Sequence, residues 1–430
     1  MADSYQMPKT CALLRAYLLG MHAFGPFLPG YLRRRVTRGK EDPARWREKL
    51  GEASLPRPDG PLVWLHAVGL GEVMALRGLI AAMGQARPDC SFLVTSSARS
   101  SALAFAGNMP PRTQHQFLPL DAPGPVAEFL DHWHPDLSIW AEQDLWPGAV
   151  VETYRRGIPI ALINARMNAR AFASRARFRS LFRDLYARFA HISAQDADTA
   201  ANLGALGAAG VKVTGSLKAG AGPLVDQPDV RAILTRAMNG RKPWFAASTH
   251  AADEALAIAA QVQLFAEDPS HLLIIAPRDP PRRDAIVSNC NAVGISVAVR
   301  SQGTLPGPKD AVYLADTYGE MGLWYRLCPV ALIGGGLGGT GGHNPWEAAH
   351  LGCAVLHGPN VANFTADYAA LHGVGGATLV SDAMTLAVAV QDPALGPQAA
   401  RALALAGQGM AGMDTLCSTL LGMLPHGHNV

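Results

Sequence analysis

The chain reads as an α/β protein of two Rossmann-like domains facing a central cleft. Three observations point there. From residue 61 onward short apolar runs alternate with helical segments, the pattern of a parallel sheet flanked by helices. That alternation restarts after a junction at 217–242, which carries Gly220, Gly222 and Pro223 near its start. Gly334 to Gly342 places seven glycines in nine positions, after an apolar run and before residues that can open a helix. Glycine is costly unless the backbone needs positive φ or close approach. A loop of this kind suits a phosphate, which backbone amides and a helix start favour.

The elements follow in order. Residues 61–66 are a buried strand and 73–83 a helix. Residues 91–95 form the next strand, followed by a helix at 100–107. Residues 116–120 are short and extended. Strands at 136–140, 158–163, 191–194 and 211–214 complete the first unit. The second has strands at 244–247, 272–276, 296–299, 311–314, 329–333 and 354–357, with a helix at 253–265. Asn344 is read as the N-cap and Pro345 as the first position of the helix after the glycine loop. The division is 1–50 for an N-terminal segment, 51–220 for the first domain and 221–430 for the second.

The composition sets bounds. The chain has 430 residues, 49% of them hydrophobic and 17% charged, ample for two cores. A net charge of +3 does not suggest nucleic-acid binding. The six cysteines show no C-x-x-C spacing, so neither a zinc site nor a disulfide framework is indicated. Residues 11–28 are apolar and aromatic but contain Arg15, His22 and Pro26, a poor spanning segment. Residues 31–49 then hold eight Lys or Arg against three acids. An apolar face followed by a basic cluster suits a membrane-associating helix lying on anionic lipid; a core-packed first helix has the same pattern.

In open α/β sheets ligands bind beyond the C-terminal strand ends, and the distinctive residues fall there. His66, Gly71 and Glu72 follow the first strand. Glu72 suits a general base that accepts a hydroxyl proton, or a plain dipole partner of its helix. Glu142 and Asp144 sit beside Trp146 as a polar lip. Asn164, Arg166 and Lys218 follow later strands. In the second half, Ser248, Thr249 and His250, then Arg278, then Asp316 to Met321, and the glycine loop with Gly335, Gly336, Gly341, Gly342, His343, Asn344 and Glu347, converge on one sheet edge. An arginine facing such a loop suits a phosphate. Neither Walker A nor a strict G-x-G-x-x-G fingerprint is present, which sets aside ATPase and dehydrogenase readings. No cluster has metal-ligand spacing.

With these segments in one order, the chain resembles the Kdo (3-deoxy-D-manno-octulosonic acid) transferases of lipopolysaccharide assembly, which are GT-B glycosyltransferases. The resemblance runs from about residue 12 to about residue 380. The family's W-x-H-A-x-S-V-G-E segment stands here as Trp64 to Glu72, its E-T-E-L-W-P as Glu142 to Pro147, its N-A-R as Asn164 to Arg166, and its G-N-L-K as Gly215 to Lys218. S-T-H is Ser248 to His250, P-R-H-P-E-R lies in Pro277 to Arg283, D-T-x-G-E-M is Asp316 to Met321, and the glycine motif is Gly334 to Glu347. The departures are Gly69-Leu70 for Ser-Val, Gln143 for Thr, Asp144 for Glu, Asp279 for His and Pro281 for Glu. Asp279 adds a negative charge where an anionic donor is expected.

The resemblance implies an inverting transferase that moves Kdo from CMP-Kdo to a lipid A precursor (lipid IVA) at the cytoplasmic face of a bacterial inner membrane. It implies no cofactor beyond that donor substrate and no metal. Glu72 is the implied base. The donor would be held by Ser248, Thr249, Arg278, Met321, the glycine loop, His343, Asn344 and Glu347. His66, Gly71, Glu142, Asp144, Arg166 and Lys218 would face the acceptor. The alternatives are a transferase using another nucleotide sugar, such as a UDP sugar, and a non-catalytic membrane-associated relative that binds lipopolysaccharide precursors.

Overall fold

The computed structural model describes residues 10–107, 109–142 and 144–425, without the side chains of Leu70 and Ala104. The chain forms two compact units. One runs to Gly220 and takes back the chain from Ala411; the other is Ala221–Met410.

The first unit is built on β1 (Leu62–His66), β2 (Ser91–Ser96), β3 (Thr113–Phe117), β4 (Leu137–Ala141), β5 (Ile160–Ala165), β6 (His191–Ala194) and β7 (Lys212–Val213). They pair in parallel in the order β3-β2-β1-β4-β5-β6-β7. The central strands are buried at every position, which their unbroken apolar runs dictate because both sheet faces are covered. One covering layer packs Trp64 against Phe129 and Trp140, tilted and edge-on, with ring centroids 4.9 and 5.5 Å apart. Buried indoles need a partner for their N–H; Trp64 Nε1 donates to Thr95 Oγ1 and Trp133 Nε1 to Gln116 Oε1.

The second unit uses β8 (Lys242–Thr249), β9 (His271–Pro277), β10 (Ser296–Val299), β11 (Asp310–Leu314), β12 (Val330–Ile333), β13 (Ala354–His357) and β14 (Ala377–Leu379), in the order β10-β11-β9-β8-β12-β13-β14 and again all parallel. Gly334 leaves β12 so close to β8 that a Cβ on it would lie 2.4 Å from the Ser248 carbonyl oxygen.

Most strands fall within two residues of their expected positions. β3 begins three residues earlier than 116, because its first half, Thr113-Gln114-His115, lacks an apolar signature at the sheet edge. β14, three residues long, had no readable pattern. The helix after the glycine loop is Trp346–His350, with Pro345 rather than Asn344 at the cap position. Asn344 still performs the capping contact, its Oδ1 accepting the Trp346 N–H at 3.2 Å.

The second domain does not keep the chain to its end. The last helix, Leu395–Leu421, carries Met413, Leu416, Cys417 and Leu420 on one face, and these enter the core of the first unit beside Val63, Leu65 and Leu76. Gly412 permits the approach: a Cβ there would lie 2.1 Å from the Thr214 carbonyl oxygen.

At the N-terminus, helices Ala12–Phe24 and Leu28–Thr37 bury Leu14, Leu28 and Leu32. They expose Leu19, Phe24, Phe27 and Tyr31. Among the described residues no helix is long and apolar enough to cross a membrane. Four of the eight basic residues of 31–49 are held by acids: Arg35 and Lys49 by Glu41, Arg45 by Glu48 and Arg47 by Glu52. Arg33, Arg34, Arg38 and Lys40 are exposed.

Candidate active site

Near its centre each sheet has a place where the strand order reverses: between β1 and β4 in the first, between β8 and β12 in the second. Loops leaving such neighbours diverge and open a crevice. Each crevice holds a pair of titratable side chains in contact.

In the first unit the pair is Glu72 and Glu142. Glu72 lies in the first turn of the Leu70–Ala86 helix that follows β1. Its Oε2 accepts the Val68 and Gly69 N–H groups, each at 3.0 Å, so the carboxylate caps its own helix. Gly69, where the family has Ser, clears space for it: a Cβ there would lie 3.1 Å from Glu72 Oε1. Glu142 follows β4 at φ +62°, a conformation uncommon outside glycine and clustered at functional sites. Its N–H donates to the Ile163 carbonyl at 2.9 Å, extending the ladder to β5. Glu72 acts on Glu142 both through its charge and as a hydrogen-bonding neighbour. Burial first, then the Glu72 charge, pushes the Glu142 carboxyl up to about 7, while Lys218 and Arg166 pull it the other way.

Asn164, at φ +54°, holds this corner together. Its Oδ1 accepts the Leu217 N–H at 3.0 Å, its carbonyl accepts Gln195 Nε2 at 3.0 Å, and its Nδ2 reaches Glu142 Oε1 at 3.5 Å. It therefore fixes the 215–218 loop, and Lys218 with it, beside the carboxyl pair. The N-A-R segment was visible in sequence, but the weight given to Arg166 belongs equally to Asn164. Arg166, Gly71 and Asp144 are exposed, and Gln143 lies outside the described residues.

His66 departs from expectation. It is 1% exposed, with Nδ1 at 3.0 Å from Thr95 Oγ1 and its ring against Trp140. Burial pushes it down to about 3, so it is neutral. It is a core histidine under the site rather than an acceptor-facing residue.

In the second unit the pair is His250 and His343. His250 follows β8, just past Ser248 at φ +52°, and His343 ends the loop after β12. Their Nε2 atoms are 2.9 Å apart and the rings stack at 5.1 Å. Burial, then His250 and Arg278, pushes His343 down to about 4. Arg278, exposed after β9, also acts on Glu347 and draws it toward ionisation against a larger opposing effect of burial; Glu347 is hydrogen-bonded to Asn344. Thr249 is buried, and Met321 opens the Met321–Leu327 helix after β11. Asp279, the unfavourable departure, is solvent-exposed. Its charge falls on Arg282, whose guanidinium forms a two-pronged pair with the fully buried Glu254.

The glycine loop is less open than its composition suggests. The Gly335 and Leu337 N–H groups donate to the Asp253 carboxylate, Gly342 N–H to the Gly335 carbonyl, and His343 N–H to the Gly334 carbonyl. Gly335 and Gly342 therefore shape the loop rather than offer amides to a ligand. Gly341 and Gly342, at φ +92° and +76°, pack on Asn363 and Asn360. Asp253 is the residue the sequence reading passed over. It sat in a helix as an ordinary first-turn acid, and only the return of β12 beside β8 shows what its carboxylate ties down.

Two parallel Rossmann-like units, each with a polar crevice at its switch point, define the chain as an α/β protein of the GT-B type. A solved structure agrees at the level of fold: UDP-GlcNAc 2-epimerase from Neisseria meningitidis bound to UDP-GlcNAc, with TM-score 0.51 and 14% identity over 84% of this chain and 99% of that one. The family described as 3-Deoxy-D-manno-octulosonic-acid transferase (kdotransferase) matches residues 44–221. A probable mitochondrial 3-deoxy-D-manno-octulosonic acid transferase of Arabidopsis thaliana is 32% identical over 364 residues, 82% of this chain and 80% of that protein. The 3-deoxy-D-manno-octulosonic acid transferase of Bordetella pertussis is 32% identical over 363 residues, 81% and 83% of the two chains. The chain belongs to the Kdo transferase family and is a glycosyltransferase.

Proposed function

We propose that the chain transfers Kdo from CMP-Kdo to a lipid A precursor, lipid IVA, with inversion at the anomeric carbon. The observation that carries this reading, beside family membership, is the Glu72 carboxylate. It is anchored by two amides at a strand-order reversal, next to Glu142, on which Lys218 and Arg166 also act. In the reaction Glu72 takes the proton of the acceptor hydroxyl as that oxygen bonds to the anomeric carbon. The bond from carbon to phosphate oxygen breaks in line, and CMP leaves with the electron pair. Arg278 and the amides of Gly336 and the 338–341 stretch receive the phosphate charge. Glu347 and Asn344 suit the ribose hydroxyls. Arg278 lies outside the buried network, so its removal should weaken nucleotide binding without loosening the fold.

The test is transfer from CMP-Kdo, made in situ, to a tetra-acylated lipid A precursor, in buffer containing EDTA, because this reading needs no metal cofactor. Product is the expected result. Stabilisation by a UDP sugar but not by CMP would favour another donor, and CMP binding without product a non-catalytic relative. Arg278→Ala is expected to lower CMP affinity about tenfold, the cost of one charge-assisted contact of roughly 1.4 kcal/mol, measured by calorimetry. Unchanged affinity would remove Arg278 from the donor site.

The reading also places the first unit on the cytoplasmic face of the inner membrane. Leu19, Phe24, Phe27 and Tyr31, with Arg33, Arg34, Arg38 and Lys40, suit an anionic lipid surface. Sedimentation with phosphatidylglycerol vesicles should drop severalfold in the double variant Leu19→Ser, Phe27→Ser. Equal sedimentation would put the lipid contact elsewhere.

A further inference from the structure

We propose that Glu142 is the proton-sharing partner of Glu72, so that the acceptor is activated by a two-carboxyl unit and not by an isolated glutamate. This rests on the Kdo-transfer reading for its catalytic meaning but not for the pair itself.

Three features of the geometry build the unit. Glu72 has one oxygen committed to the Val68 and Gly69 amides, so it cannot turn away from its neighbour without uncapping the helix. Glu142 is held just past the adjacent strand in a left-handed backbone conformation, its N–H tied to the Ile163 carbonyl. Asn164 closes the third side. A hydrogen bond between two carboxyls needs one proton, and two such groups side by side do not both ionise readily. The charged groups acting on Glu142 are Glu72 from the helix after β1, Arg166 from the end of β5 and Lys218 from the 215–218 loop. His66, buried at the end of β1, is neutral and adds no charge in the working range.

The consequence is a coupled titration whose steps belong to the pair. With one proton aboard, Glu142 donates to the Glu72 carboxylate and engages the oxygen that would take the hydroxyl proton. Once that proton leaves to solvent, the Glu72 oxygen it engaged is free to take the hydroxyl proton, and Arg166 and Lys218 offset the charge on Glu142. The proton taken from the acceptor hydroxyl then returns the pair to its one-proton state, and solvent removes it before the next turnover. Glu142 itself need not touch the substrate; it acts through Glu72.

The experiment is a pH titration of the full chain carrying carbon-13 at its glutamate carboxyls, read by NMR without substrate, alongside the pH profile of kcat/KM. The expected titration has a glutamate carboxyl changing near pH 7 that is absent from Glu142→Gln and moved down in Glu72→Gln. The expected profile has an acid limb near pH 7 that shifts down by at least one unit in Glu142→Gln, with the plateau lowered about tenfold. Glu142→Asp keeps an acid but withdraws it from Glu72, and should move the limb the same way if Glu142→Gln folds poorly. Stability gives a further readout. The folded chain holds a proton that the unfolded chain has already released, so folding weakens as pH rises from the ordinary glutamate range to about 7. Glu142→Gln should lose that slope. If Glu142→Gln removes no glutamate titration from the region above pH 6, or the limb is unmoved in both variants, the pair is overturned. If the titration shows the pair but the wild type transfers no Kdo, the proposed function falls and the shared proton stands.

Discussion

Glu72→Gln is expected to lower kcat by roughly 10³-fold while leaving thermal stability close to wild type. General base catalysis contributes about 10²–10⁴-fold, and the substitution removes the basic oxygen with little change of shape. The amide oxygen of Gln can still accept the Val68 and Gly69 N–H groups that Glu72 now caps, since Gln serves as well as Glu at that helix position. Glu72→Ala separates the two roles. It should abolish turnover equally and also cost about 1 kcal/mol of stability by uncapping the helix. A Glu72→Gln enzyme with near wild-type kcat would leave Glu72 with the cap alone, the plainer role its position always allowed. The decisive comparison is therefore kcat against urea unfolding in the two variants, measured on the same preparations.

How far the sequence led depended on where the physical signal sat. Strands buried on both faces announce themselves as apolar runs, so β1 and β13 were legible nearly to the residue. The motifs lay at C-terminal strand ends because parallel sheets put loops there, and the spacing alone placed Glu72, Glu142, His250 and His343 at such ends. What the one-dimensional pattern lacked was which ends are neighbours. Glu72 and Glu142 are seventy residues apart in sequence and neighbours in the fold. His66 carried the same strand-end signature as Glu72, yet it points into the core against Trp140. A period-two strand has two faces, and the sequence did not say which one His66 takes. The last helix was lost for a related reason. Its apolar face at 413–420 was present, but its partner, β1, lies more than three hundred residues earlier.

Asp253 is where the same logic yields the second large effect. Its carboxylate is 1% exposed and accepts three backbone N–H groups: His250 at 2.9 Å, Gly335 at 2.7 Å and Leu337 at 3.3 Å. The first belongs to the loop after β8 and the other two to the loop after β12, so one side chain clamps both lips of the second crevice. Asp253→Asn keeps the shape but turns one acceptor oxygen into a donor aimed at an N–H group. Asp253→Ala leaves the buried Gly335 N–H with no acceptor. An unsatisfied buried donor costs about 1–3 kcal/mol, and bonds to a charged acceptor lie at the upper end. Loss of roughly 3 kcal/mol in urea unfolding is expected for Asp253→Ala. CMP affinity should fall more than tenfold in both variants, because the glycine loop and His250 lose their common tether. His343 should respond as well, since the Asp253 charge is the one influence that opposes its lowering; without it the imidazole becomes harder still to protonate and less able to meet a phosphate as a cation. Asp253→Asn with wild-type stability and CMP affinity would mean that the loop is shaped by its backbone bonds alone, and that the phosphate site needs no clamp between β8 and β12.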